Sequence, residues 1–476
     1  MPLSKPNYKR FIPLGLFLLG ILSAVILSFK NGYWSITSAD YESLRCFFLQ
    51  CRISALDTIK AELDAQGIYL ALSWFLDHNS AYYLYLSYLA NAFNFDSGKT
   101  FLVVQYAFIV LLMGVFPTLI YKITNSVKIA LVSIALFFCM SHIAPASMFQ
   151  INDCYWAYYL IIAIGMPVLY ILITNKWSAS MWYYTFLLSF TIAVCNTARS
   201  NAGIFFWIAL LGIVIYKNIP NVKAYLKARS VKLLALILGV CMVFSSANIL
   251  TVTVPNLYLT ATGQDVSARL DTMGPWHTLF IGLGWIDNPD GIYYEDTCGF
   301  EQHPETLTDY PYPQTLEYME AIKHTYFETL AGHPFVYFAS YVLKVLLSLV
   351  MGIRPTIFFG LAFVLIPSTI IAAGVGCLLI GAYLFTMWRM LRYCLKTEGR
   401  VILKKLLPLI ILAIVSLLNG LLPAVVAMPT YVYVAGVVGA YDIFAILAMM
   451  VTASHYFALK KQGNCPELPA TPEDKE

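Results

Sequence analysis

"WRMLRYCLKTEGRVILKK", residues 388–405, places six basic residues and a single acid between two long apolar runs. No soluble core needs that sequence: the flanks hold almost nothing to face water, while the centre is dense with charge. A bilayer resolves the conflict, because about 20 apolar residues cross its hydrocarbon and Lys and Arg collect on its cytoplasmic side. The stretch therefore reads as an inner segment between two spans.

The whole chain carries the same signature. Of 476 residues, 59% are hydrophobic and 12% charged, with a mean hydropathy of +0.71. A soluble chain carries about a quarter charged residues, so too little polar surface is available here to coat a soluble protein. The formal charge of +4 is small and gives no reason to expect a nucleic-acid partner. "FIPLGLFLLGILSAVILSF" (11–29) is too long for a cleaved leader and no small-x-small site follows it, so it is expected to be a retained helix. The expected fold class is an all-α polytopic membrane protein.

Working outward from 388–405, spans are expected at 11–29, 100–121, 127–145, 155–174, 181–196, 203–217, 231–253, 357–388, 406–427 and 430–453, about ten in all. Lys5, Lys9 and Arg10, and the basic residues of "KNIPNVKAYLKARSVK" (217–232), mark two more inner segments. Both termini then lie inside. The expected organisation is one transmembrane domain, 1–453, with outer segments 30–99 and 254–356, and a disordered cytoplasmic tail, 454–476. Two further apolar stretches, 67–95 and 335–353, complicate the count. In 335–353, Ser340, Lys344 and Ser348 recur at i, i+4 and i+8 beside Tyr337 and Tyr341. That polar stripe favours a helix lying at the outer interface. The rival makes 335–353 a span and breaks 357–388 at Pro367 into a re-entrant hairpin.

On this map every acid from Asp40 to Glu328 lies outside, and Asp442 is buried in the last span. The chemistry is therefore expected on the outer face. "SITSADYESLRC" (35–46) sets Asp40 and Glu42 just beyond the first helix, where a carboxylate could take a proton from a hydroxyl or cap a helix. "QINDCYWAYYL" (150–160) sets Asp153 at a helix mouth, again a base or a cap. "NTARSNAG" (196–203) offers Arg199 to a phosphate or to interfacial snorkelling. "PWHTLFIGLGWIDNPDGIYYEDT" (275–297) combines His277 with four acids, aromatic rings and Gly282 and Gly284, which permit close backbone approach. "PQTLEYMEAIKHTYFETLAGHP" (313–334) is helix-like, with Leu316, Met319, Ile322 and Phe327 at helical spacing. Lys344 and Arg354 are cations in apolar surroundings, costly at mid-bilayer and less so beside a lipid phosphate. Histidine spacing fits no compact metal site. Cys46 and Cys51 read equally as a disulfide or two thiols. No nucleotide motif is present.

"ADYE" after the first helix, "INDCYW" at the fourth and "ARSN" before the sixth, with a large outer loop bearing "WHTLFIGLG" and "HPFVYFASYVLK", together resemble the GT-C superfamily of membrane glycosyltransferases. The likeness is to its protein O-mannosyltransferases and lipid A aminoarabinose transferases. It covers roughly residues 11–390. The sequence departs from the family in separating the two acids, Asp40-Tyr41-Glu42, and in lacking a large soluble C-terminal domain. The resemblance implies a GT-C-like bundle with interfacial helices in its two outer regions. It implies transfer of a sugar from a polyprenyl phosphate to a glycan, lipid or protein acceptor, with inversion. Asp40 would be the general base, Asp153 would orient the acceptor, and Arg199, His277, Lys344 or Arg354 would meet the phosphate or sugar, with Glu42 as an acidic partner. No cofactor is expected, although a divalent metal is compatible with the pattern. The setting implied is a bacterial inner membrane with the site facing outward. A polysaccharide polymerase or ligase, and a transporter or flippase, are the alternative readings.

Overall fold

The computed structural model describes residues 11–30, 80–95, 97–138, 156–199, 201–227, 231–261, 275–307, 316–352, 369–429 and 434–462. Among them there is helix and no strand. Fifteen α-helices are numbered here in chain order. They are α1 (Ile12–Lys30), α2 (Ser80–Phe93), α3 (Ser97–Thr124), α4 (Val127–Phe138), α5 (Trp156–Thr174), α6 (Met181–Ala198), α7 (Ile204–Lys227) and α8 (Val231–Ser246). After these come α9 (Val254–Ala261), α10 (Pro275–Gly282), α11 (Asp296–Phe300), α12 (Leu316–Gly332), α13 (Pro334–Gly352), α14 (Thr369–Val426) and α15 (Ala435–Lys461). Asp40, Glu42, Asp153, Arg354, Pro367, Cys46, Cys51 and the tail beyond 462 lie outside the described residues.

At the centre is α5, apolar on every side, as expected of a helix with no face toward solvent or lipid. It packs against α3, α6, α14 and α15. Close approach is made possible by glycine. A methyl group on Gly420 of α14 would fall 2.4 Å from the backbone of Gly436 in α15, and one on Gly20 of α1 would fall 1.9 Å from the Met113 carbonyl oxygen of α3. Such small-residue crossings suit a bilayer, where van der Waals contact between helices replaces the hydrophobic effect as the main driving force.

The stretch 388–405 is an elbow rather than a loop. Helix α14 runs through it with one non-helical residue, Glu398 (φ −139°, ψ 54°). Before that residue, Tyr383 donates to the Ala445 carbonyl (2.7 Å) and Cys394 lies against Thr452. After it, Lys405 meets His455, and Gly420 meets Gly436. The first arm thus runs along α15 in one direction and the second returns along it. The described parts of the two segments expected as spans, 357–388 and 406–427, lie in the two arms of this V.

The V also sorts the charges. Its elbow carries Arg389, Arg392, Lys396, Arg400, Lys404 and Lys405 beside Lys460 and Lys461 of α15. At the same end Lys217 donates to the Ile173 and Asn175 carbonyls at the C-terminus of α5 (2.7 and 3.2 Å). The opposite end holds residues 275–307 and 316–333. Every described acid except Glu398 and Asp442 lies in those segments, and Lys323 is their only Lys or Arg.

By length and apolarity five described helices can cross a membrane: Tyr106–Thr124, Ala157–Thr174, Pro334–Met351, Gly381–Val426 and Ala435–Lys461. A sixth is Lys232–Ser246 with Ile249–Leu257, bent by 66°. This is fewer than the ten expected. Ile12–Ile26, Val127–Leu136 and Ile204–Pro220 are apolar but shorter, and the two arms of the V are contained in one of the five. The bend after α8 is a π-helical turn (Ile249–Thr253). The carbonyls around it are taken up by Trp207 to Val243 (2.9 Å), Asn196 to Ala247 (2.9 Å) and Tyr85 to Leu250 (2.8 Å).

Helix α13 carries the polar stripe that the sequence marks. Its Ser340, Lys344 and Ser348 are buried, while Phe335 (86% exposed), Phe338, Leu346 and Val350 face outward. An apolar exterior around a polar interior is the arrangement lipid favours.

Candidate functional site

The acidic end is built as a small module on the tips of the long helices. Its core is Phe280, Ile281, Leu283, Ile292, Cys298, Tyr318, Met319, Ile322, Tyr326 and Tyr337. Met319 and Ile322 are buried as their spacing predicts, but Tyr318 and Tyr326 complete the buried face of α12 and Phe327 is half exposed. Gly282 and Gly284 both sit where a side chain would collide. A methyl on Gly282 would fall 2.3 Å from the Val426 carbonyl oxygen, and one on Gly284 2.5 Å from the Tyr293 nitrogen. The glycines are thus required by close backbone approach.

Within this module His277 is 1% exposed, unlike an open phosphate or sugar ligand. Its Nδ1 lies 2.6 Å from Tyr318 Oη and its Nε2 lies 3.2 Å from Asp296 Oδ1. Its ring stacks on Phe300 at 4.9 Å, and Gly299 is the neighbour that leaves room for it. A neutral imidazole carries one proton. Given to Asp296 from Nε2, that proton leaves Nδ1 to accept from the tyrosine. Burial, then the negative charge of Asp296, push the Tyr318 hydroxyl well above its ordinary range, so it stays a donor. The result is a relay, Tyr318 to His277 to Asp296, with two members buried and Asp296, 62% exposed, open at the surface. Asp296 lay in plain view in the acidic stretch. Tyr318 gave no signal, since a tyrosine on an apolar helical face reads as packing.

Lys344 is fully buried. Its Nζ donates to the carbonyls of Val425 (3.1 Å) and Ala427 (2.7 Å) and stands 5.0 Å from the Tyr341 ring centre. It caps the C-terminus of α14, where carbonyls lack helical partners. Two of its three donors are therefore committed within the protein, and a phosphate role would require that cap to open.

Arg199 closes α6 and is nearly buried, within electrostatic reach of Tyr158. Its turn is fixed by Asn196 Oδ1, which accepts from Gly203 (3.0 Å), and by Asn419, which donates to Ala202 (2.6 Å) and accepts from Phe205 (3.3 Å). Asp442, buried as expected, lies beside Tyr159, the next residue of α5. The structure thus groups Lys344 with the His277 module through Gly282, and places Arg199 separately beside α5. Among the described residues no set of His, Cys, Asp and Glu could hold a metal ion.

These features define a helical membrane protein with one polar, acidic face. Comparison with protein-family models, curated proteins and solved structures returned no match.

Proposed function

We propose that the chain is a membrane-embedded glycosyltransferase of the GT-C type, moving a sugar from a polyprenyl phosphate to a glycan, lipid or protein acceptor. The observation that carries the reading is the charge-sorted architecture, with a carboxylate-rich module, braced by a buried His–Tyr pair, sitting on apolar helix tips opposite the cations. By the positive-inside rule the cationic end is cytoplasmic and the module faces outward, in a bacterium across the inner membrane. A lipid-borne sugar at that surface needs no nucleotide, in keeping with the sequence.

In the proposed reaction the acceptor oxygen attacks the anomeric carbon as its proton passes to Asp40. The bond from that carbon to the phosphate oxygen breaks with inversion, and the lipid phosphate leaves with the electron pair. Arg199 and Arg354 would steady its charge, and Asp153 would orient the acceptor, with Glu42 as an acidic partner. His277 and Lys344 serve here by holding Asp296 and the tip of α14, rather than as direct ligands.

The test is mass spectrometry of the surface glycans, glycolipids and glycoproteins of cells carrying wild type, empty vector or Asp40→Asn at equal expression. One added sugar with wild type alone supports the transferase and Asp40 as base, and names the acceptor. An addition that survives Asp40→Asn keeps the transferase and moves the base to Asp153 or Glu42. No addition from correctly inserted wild type overturns the reading in favour of transport, for which the buried Asp442 is the natural starting point.

A further inference from the structure

Every polar residue on the buried face of α13 above Ser348 reaches another element. Tyr337 donates to Asp290 (2.5 Å), Trp285 donates to Ser340 (2.5 Å), and Tyr341 shares a hydrogen bond with Tyr326 of α12 (3.0 Å). One turn further on, Lys344 leaves the module and donates to the two carbonyls at the tip of α14. Ser348, a turn below, returns to its own helix at the Lys344 carbonyl (2.7 Å). Successive turns of one helix therefore hold the module and then the membrane bundle.

The junction is narrow. Gly282 of α10 touches the Val426 and Ala427 carbonyls and lies beside Lys344 Nζ, so module, strut and helix tip converge around one lysine. We infer that Lys344 is the positioning residue that fixes the outer module on the bundle: by bonding the α14 tip across the junction, it sets where the Tyr318–His277–Asp296 relay stands above the membrane. The assignment concerns placement and holds whatever reaction the module serves.

A lysine in this place has a physical reason. The last carbonyls of a helix are orphan acceptors, and here two of them accept from Lys344 beside Gly282 of the module. Lysine supplies several donors from one flexible stem, so one side chain reaches both carbonyls. Methionine has the length and the apolar stem without the donors.

The test is hydrogen exchange of the full chain in lipid nanodiscs, comparing wild type with Lys344→Met. Exchange at 276–283 and 317–331 is expected to rise tenfold or more, while 158–173 and 437–459 stay within twofold. A purely structural lysine would loosen both sets alike. Unchanged exchange in the module of folded Lys344→Met, or an equal rise in the bundle, overturns the inference. Should Lys344→Met not fold, Lys344→Gln, which keeps a donor, is read by the same criteria. Failure of both to fold also overturns it, since the lysine would then serve general stability. None of these readings depends on sugar transfer.

Discussion

Replacing Tyr318 by Phe removes one oxygen from a buried hydrogen-bonded relay and little else. The ring continues to fill its place among Ile322, Phe280 and Cys298, so no cavity opens. What is lost is the 2.6 Å bond to His277 Nδ1. The imidazole cannot compensate, because moving its one proton to Nδ1 would abandon Asp296 at Nε2. Either way one buried nitrogen loses its partner, at a cost of about 1–3 kcal/mol. In population terms the locally open module becomes about 5-fold to about 150-fold more frequent. Cys298 is a built-in reporter, since its free thiol is buried in that core. Its alkylation rate in native membranes, read peptide by peptide, should rise within that range. Cys195 and Cys394, buried in the bundle, should keep their rates. A Cys298 rate within twofold of wild type would refute the relay as a structural bond, and an equal rise at Cys195 would show the effect to be global.

Three further outcomes are expected. Gly420→Ala should lose folded protein on size-exclusion chromatography, because its methyl meets the Gly436 backbone at 2.4 Å while overpacking of even flexible neighbours costs about 1–3 kcal/mol; Gly15→Ala, with nothing within 4 Å, should behave as wild type. Trp285→Phe should cost about 0.5–1.5 kcal/mol through the lost bond to Ser340, read as a lower thermal midpoint that Ser340→Ala does not lower further. The raised Tyr318 hydroxyl predicts an alkaline limit. Its stabilisation is complete below its unfolded value of about 10 and is lost as pH rises toward the higher folded value, since only the unfolded chain then releases the proton. The wild-type thermal midpoint should therefore fall above pH 10 more steeply than that of Tyr318→Phe.

Residues 388–405 announced themselves in the sequence, because charge between apolar runs has one cheap solution in a bilayer. The reversal at Glu398 did not, since one non-helical residue leaves no compositional mark. Helix α13 was legible in length and stripe, but the burial of Ser340, Lys344 and Ser348 was not, because the elements that cover them are distant in sequence. His277 was found by residue type, while its partners were not. Whether a histidine is a ligand or a brace depends on Tyr318, 41 residues away, and no local pattern encodes that distance. Lys344 stood out as a lysine in apolar surroundings, yet its partners are backbone carbonyls, which every residue possesses and no sequence displays.

The separation of charge between the two ends also gives the molecule a handedness toward voltage. Across an energised membrane, negative within, each elementary charge carried through the full field changes the energy by about 2.3 kcal/mol per 100 mV. In the proposed orientation, with the elbow on the negative side, the carboxylates of 275–307 and 316–333 would move outward down that field during assembly while the lysines and arginines of the V stayed behind. An upside-down molecule would hold both sets against it. Under that proposal the field that energises the membrane would act as an electrophoretic ratchet on this chain.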